Sequence, residues 1–385
     1  MMEIPKQALD EAIELARSLV RIRSTNPPGD EEGIARYIKD YLIVSGLEAE
    51  LVPLGPGRGS LVGRLPGRER GSLVLCGHLD TVAVEKDEPW TKPPFEGLIE
   101  DGRLYGRGAA DMKAGVAVIL QAAKLIAANA RGRKRSPRKT LLLALTADEE
   151  QGYRGAETLV ERGYFAEAEF MVVAEPSDGK VFIGEKGELW LKARFLGRAA
   201  HGSTPELGVS ALLPAAAFCT RLNAELRRFP EVEGLGRTTL NIGQFRGGWR
   251  VNVVPDRAEV EMDFRVISEE DKARAIKLVS ELGEEEARRA GARFEQELLS
   301  YHPPVFSDRT NGYVREFLAL AGEVAPGIAP YCTDAATIFP KVPVPFVIYG
   351  PGSISLAHRP DEYVELASLE RALGVLLSFL ERALL

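Results

Sequence analysis

A chain of 385 residues is long for a single core and predicts two domains. With 45% hydrophobic residues, 27% charged residues and a net charge of −7, the composition is that of a globular protein, and the charge argues against a polyanionic partner. The three cysteines (Cys76, Cys219 and Cys332) are odd in number, far apart and without C-x-x-C spacing, which fits a reducing compartment.

The N-terminal stretch "MMEIPKQALDEAIELARSLVRI" reads as an amphipathic helix over roughly 7–21, without the basic start and unbroken apolar core of a signal peptide. A second helix, "DEEGIARYIKDYLIVSG", ends at Gly46. Strand patterns follow at "EAELVPL", "SLVGRL" and "SLVLCG", then a strongly apolar helix over 113–130. Between that helix and the strand "TLLLALTA" (140–147) lies the basic run "RGRKRSPRK", expected to be a solvated loop. A further apolar run, "FMVVAE", covers 170–175. Such alternation predicts an α/β domain with a largely parallel sheet and helices on both faces.

From about 180 to 300 the strands instead alternate apolar and polar residues: "KGELWLKARFLG", "TTLNIGQFRGG", "RAEVEMDFRVI" and "ARFEQELLSY". Helix patterns near 209–228 and 268–290 separate them, and the order suggests an antiparallel, ferredoxin-like α+β unit. The α/β style then returns, with a helix near 310–323, the strand "VPFVIYG" and a helix at 366–384. The expected organisation is therefore a catalytic domain made of 1–179 and 301–385, interrupted by an inserted domain at 180–300. No apolar run approaches the roughly 20 residues that span a bilayer, so a cytoplasmic protein without a membrane or nucleic-acid partner is expected.

The ionisable residues cluster at strand ends. His78 and Asp80 follow "LVLC", Glu149 and Glu150 follow "LLLALTA", and Glu175 ends "FMVVA". His358 lies just beyond "VPFVIYG", and Asp111 precedes the long helix. In open α/β sheets ligands bind at the carboxyl ends of the strands, so separate segments deliver His or carboxylate to one edge. Two imidazoles and several carboxylates there would be costly to bury without a cation. Mixed N/O ligation suits Zn²⁺, with Co²⁺ or Mn²⁺ as substitutes, and five ligands fit two metals sharing one carboxylate.

The segments "GHLDTV", "PWTKPPFEGLIEDGRLYGRGAADMKAG", "TADEEQG", "AEPS", "HGSTPELG", "NVVPD" and "AHRPDEYV" stand in one order over nearly the whole chain. In this the chain resembles the di-zinc hydrolases that include acetylornithine deacetylase, succinyl-diaminopimelate desuccinylase, aminoacylase and glutamate carboxypeptidase. The resemblance implies that His78 and Glu175 bind one metal, Glu150 and His358 the other, and Asp111 bridges them. It implies that Asp80 accepts a hydrogen bond from the non-ligating nitrogen of His78, that Glu149 is the general base, and that Asp111–Met112 is a cis peptide. Glu149 and Glu150, taken as extended chain, are expected to point to opposite sides. In the inserted domain His201 would stabilise the oxyanion in a homodimer, and Asn252 and Arg265 would hold substrate. The turn "YGPGS", with Gly352, would line the same pocket.

Bland readings stand beside these. Asp111 could be a helix N-cap, the Glu149–Glu150 pair an acidic turn, His201 a turn residue and Arg265 a partner of neighbouring acids. The expected function is a metal-dependent hydrolase of amino-acid metabolism that cleaves the amide bond of N-acyl amino acids. A dipeptidase or carboxypeptidase of the same family is the alternative, and a non-catalytic binding protein on the same fold is the reading from another class. "RSTNPPGDEE" (23–32) looks more like the deacetylase and aminoacylase branch than the dedicated desuccinylase.

Overall fold

In the computed structural model, which describes residues 4–385, the run Leu73–Cys76 forms the middle of the fully buried strand Ser72–His78. This strand pairs in parallel with Thr140–Thr146 on one side and Ala168–Pro176 on the other, and Phe346–Gly350 continues the parallel set. Outside these four the sheet turns antiparallel, with Phe182–Glu185 beside Phe346–Gly350, and Arg58–Leu65 then Glu48–Gly55 beyond Thr140–Thr146. The largely parallel sheet is thus a mixed sheet with a parallel centre. Connectivity explains the change: the turn at Pro56 and Gly57 joins neighbours that must run antiparallel, whereas parallel strands need long crossovers.

Alternation along the central strands serves two faces. Leu73, Leu75, Leu141, Leu143, Phe170, Val172 and Val347 enter one core with Lys6–Arg21, Ala114–Gly132, Gly312–Ala321 and Leu366–Leu384. Cys76 and Thr146 reach instead toward Asp334, at the head of the short helix Ala335–Ile338. Burial on both faces is why these strands are continuously apolar. The first three residues of the expected N-terminal helix pattern lie outside the described residues, and the helix itself runs Lys6–Arg21.

A second unit comprises Glu185–Val305 with Pro330–Cys332. Its four-stranded sheet is antiparallel throughout, in the order Thr239–Gly247, Arg257–Val266, Gly187–Leu196, Arg293–His302. Helices Leu212–Leu226 and Glu269–Ala290 complete a βαββαβ, ferredoxin-like unit. Leu189, Leu191, Ala193 and Phe195 alternate inward and meet Val260, Met262 and Phe264, with Phe218 and Val279 from the two helices. The border falls at Gly184/Glu185 rather than at 179/180, as Phe182 pairs with Ile348 in the large sheet. Among the described residues no helix is long and apolar enough to cross a membrane.

Candidate metal centre

Three neighbouring parallel strands end at one edge of the large sheet, and their ends carry the chemistry. His78 closes Ser72–His78, Glu175 is the penultimate residue of Ala168–Pro176, and Glu149 and Glu150 follow Thr140–Thr146. Asp111 sits in a distorted turn, Ala109–Lys113, with extended backbone (φ −123°, ψ 97°). It is not an N-cap: the helix proper begins at Ala114 without a side-chain cap. The Asp111–Met112 peptide is cis, as expected. His358 follows the 3-10 turn Ile354–Leu356 and adopts a left-handed backbone (φ 59°).

Asp111 stands between the two histidines. Its Oδ1 is 3.0 Å from His78 Nε2 and its Oδ2 3.4 Å from His358 Nε2. His78 Nε2 is also 3.7 Å from Glu175 Oε1, and His358 Nε2 is 3.1 Å from Glu150 Oε2. His78, Asp111 and Glu175 form one group whose donor atoms could hold a cation, and Asp111, Glu150 and His358 form another. Glu149 lies beside the first, its Oε2 4.0 Å from His78 Nε2.

The electrostatics explain why a cation fits. Burial, with Glu175 and Glu150 nearby, raises the Glu149 carboxyl well above its ordinary range against the pull of His78. Burial likewise raises Glu175 and Glu150. Burial alone would depress the His78 imidazole, yet Glu175, Asp111 and Glu149 together raise it well above its ordinary value. Asp111, despite burial, is held low by the two histidines. Four carboxylates and two imidazoles thus crowd one site, buried on the His78 side and opening to solvent at His358, and two divalent cations would carry the matching positive charge.

Asp80 meets His78 through its backbone. His78 Nδ1 lies 2.9 Å from the Asp80 backbone carbonyl and 3.8 Å from its Oδ1, so the carbonyl, not the carboxylate, is the imidazole's partner. The carboxylate instead accepts the backbone N–H of Glu149 on Oδ1 and of Glu150 on Oδ2, both at 3.1 Å. Nor is the Glu149–Glu150 pair extended. The strand stops at Thr146, Asp148 turns the chain with φ 70°, and the two successive N–H groups converge on Asp80. The turn, rather than strand pleat, separates the two carboxylates.

Several supporting residues escaped the sequence reading. Glu362 is fully buried and accepts the N–H of Ala110 (2.9 Å) and Asp111 (3.1 Å) on Oε1, while Arg107 Nη1 donates to Oε2 at 2.9 Å. Buried Asp334 accepts the Thr146 hydroxyl at 2.5 Å. The only available signal was charge inside otherwise recognisable segments, as in "GRGAADMK" and "RPDEYV". Gly352 has φ 87°, and a Cβ there would lie 3.3 Å from Ala110 Cα, so its turn approaches the Asp111 segment closely. With Tyr349, Ser353, Ser355 and Arg371 it lines a cavity of about 360 Å³, to which the two His–carboxylate groups do not contribute.

The remaining three residues belong to the inserted unit. His201 is exposed, its Nδ1 2.7 Å from Ser203 Oγ. Gly202 N–H donates to the Asn252 carbonyl at 2.8 Å, and His201 bridges Val253, so the segments "HGSTPELG" and "NVVPD" adjoin. Arg265 is paired with Asp263 (3.0 Å) and Glu188 (3.4 Å).

An α/β unit with His–carboxylate groups at its strand ends, interrupted by a ferredoxin-like insertion, defines a class of two-domain hydrolases of the metallopeptidase type. Residues 74–382 match Peptidase family M20/M25/M40, and the chain belongs to that family. It is 31% identical to the acetylornithine deacetylase of Proteus mirabilis over 377 residues, covering 93% of each chain. It is 28% identical over 388 residues to a probable succinyl-diaminopimelate desuccinylase of Staphylococcus epidermidis, covering 92% of this chain and 93% of that one. The fold is shared with a tripeptidase from Staphylococcus aureus (TM-score 0.80, 24% identity, 97% and 98% covered). It is shared too with a metallo-carboxypeptidase from Sulfolobus solfataricus (TM-score 0.78, 19% identity, 97% and 99% covered).

Proposed function

We propose that this M20-family hydrolase is a two-metal amidohydrolase that removes the acyl group from N-acyl amino acids. The observation that carries the reading is Asp111, placed between two His–carboxylate groups with Glu149 alongside. His78, Asp111 and Glu175 would hold one divalent cation, and Asp111, Glu150 and His358 the other. Zn²⁺ suits this N/O donor set best, with Co²⁺ or Mn²⁺ as substitutes. Bound there, the cations would lower the pKa of water and polarise the scissile carbonyl.

Glu149 is the general base. It lies beside the first group, its Oε2 4.0 Å from His78 Nε2 and outside both proposed ligand sets, where it would take a proton from the attacking water and later release it to the departing amine. Asp80 acts by holding the backbone of Glu149 and Glu150, and its carbonyl orients His78. His201 is assigned to the oxyanion and Asn252 and Arg265 to the substrate, with the inserted unit also the seat of self-association. Arg265 already lies 3.0 Å from Asp263 and 3.4 Å from Glu188, so a substrate would compete with these acidic side chains for its guanidinium.

The relative that is 31% identical is named for a deacetylase, which supports acyl amino acids over peptides. The test is hydrolysis of a panel by protein reconstituted with Zn²⁺ or Co²⁺. N-acetyl and N-succinyl amino acids are set against dipeptides with the same C-terminal residue. Metal-dependent preference for the acyl compounds is expected. Preference for dipeptides would replace deacylase by peptidase while keeping the centre, and absence of any turnover would overturn the substrate class.

A further inference from the structure

The segment "RSTNPPGDEE" (23–32) enters no step of the reaction above. In the structure Thr25–Asn26 pairs in parallel with Thr81–Val82, immediately after Asp80. Thr81 N–H donates to the Ser24 carbonyl at 3.0 Å, and Ser24 Oγ to the Leu79 carbonyl at 2.7 Å. The strand end bearing His78 and Asp80 is thereby zipped to residues 24–26.

This pairing sets the Asn26 side chain between two buried carboxylates. Asn26 is 3% exposed, Asp80 0% and Asp148 3%. Asn26 Nδ2 donates to Asp80 Oδ2 at 3.0 Å and to Asp148 Oδ1 at 2.9 Å. Asp148 Oδ1 also accepts from Arg58 Nη2 at 2.8 Å, and Arg58 is held as a fork by buried Glu31 (3.0 and 2.5 Å). The two carboxylates bracket the Glu149–Glu150 pair. Asp80 accepts both of their N–H groups, and Asp148 is the left-handed residue just before them, its carbonyl capping Gly152 and Tyr153.

We infer that Asn26 is a positioning residue for the Glu149–Glu150 turn: its uncharged amide, with two N–H donors, ties Asp80 to Asp148. The residue type follows from the chemistry. Two buried carboxylates facing one side chain need two donors, and Asn offers both without adding charge. Aspartate would place a third carboxylate against them, and alanine would leave both without this donor. This rests on reading Glu149 as the base and Glu150 as a ligand. Through those two residues Asn26 acts on turnover and on metal affinity together, without touching substrate.

The test compares Asn26→Asp and Asn26→Ala with wild type in three measurements. Co²⁺ affinity is measured by competition with a chromophoric chelator, with the Co²⁺ absorption band recorded. Turnover and KM are measured on the best acyl amino acid, and the folded fraction by circular dichroism. Asn26→Asp is expected to slow turnover at least about 30-fold while KM stays within about 3-fold of wild type. It is also expected to weaken the binding of one Co²⁺ by about 10-fold or more and to shift the absorption band. Asn26→Ala is expected to show the same pattern at about 10-fold, and decides the matter if the aspartate variant does not fold. Wild-type turnover and Co²⁺ affinity in the alanine variant, or a loss that vanishes once corrected for folded protein, would overturn the inference. If wild type cleaves no amide, the functional reading fails and the Co²⁺ measurements alone judge Asn26.

Discussion

At the scale of single residues, Glu149 and Glu150 show how two adjacent side chains acquire different surroundings. Both are raised by burial, but Glu150 is 3.1 Å from His358, whereas the closest imidazole to Glu149 is His78 at 4.0 Å. On the proposed reading, the carboxylate with the looser partner is the one that exchanges a proton. Glu149→Gln should therefore slow turnover by about 10²–10⁴-fold while metal content stays at the wild-type level. Steady-state kinetics with elemental analysis of the same sample checks it, and metal lost in parallel with activity would make Glu149 a ligand instead.

At the scale of elements, the centre depends on how closely the helix Ala114–Gly132 approaches the strand Ala168–Pro176. A Cβ on Gly115 would lie 2.0 Å from the Ala174 carbonyl oxygen, directly before Glu175, and one on Gly350 would lie 2.2 Å from the same atom. Gly115→Ala must push the helix start off the strand, separating Asp111 from Glu175. The expected result is a loss of about 1–3 kcal/mol of stability, read from the denaturant midpoint, together with weakened metal affinity. In the inserted unit the pair of strands Gly187–Leu196 and Arg257–Val266 sets Glu188 opposite Arg265. Burial pushes the Glu188 carboxyl up to about 7, with Arg265 pulling down and Asp263 pushing up. The folded protein thus holds this proton more tightly than the unfolded chain. Its stabilising effect is complete below pH ~4.5 and lost as pH rises through ~7, on the order of 3 kcal/mol in all. Denaturant midpoints of wild type and Glu188→Gln, compared at pH 5 and pH 8, should diverge by that loss in wild type only.

At the scale of the whole molecule, the α/β unit gathers charge that a cation must balance. Removing divalent metal with a chelator should abolish turnover and lower the melting temperature, and two equivalents of Zn²⁺ or Co²⁺ should restore both. The stabilisation should grow with the logarithm of free metal, as linkage requires. Calorimetry across a metal titration measures it, and restoration by a single equivalent would limit the centre to one cation. The inserted unit presents Thr239–Gly247 as an exposed edge strand carrying Phe245, the kind of edge that a second copy can cover. Analytical ultracentrifugation of the metal-loaded protein decides whether it does.

Sequence by itself determined the α/β core, the ferredoxin-like insertion and the cluster of His and carboxylate residues at strand ends. Those features rest on local periodicity: continuous apolar runs mark strands buried on both faces, alternation marks strands with one wet face, and an ionisable residue just past a buried strand stands out. Tertiary structure decided what periodicity cannot carry. The antiparallel flanks depend on which strands become neighbours, and the border at Glu185 depends on where Phe182 finds its partner. The two tasks of Asp80, its carbonyl on His78 and its carboxylate on the Glu149–Glu150 backbone, arise because Asp148 turns the chain after Thr146. Asn26, Glu362 and Asp334 were illegible for the same reason. Each acts through a hydrogen bond to a residue many positions away, and such a partner exists only once the chain has folded.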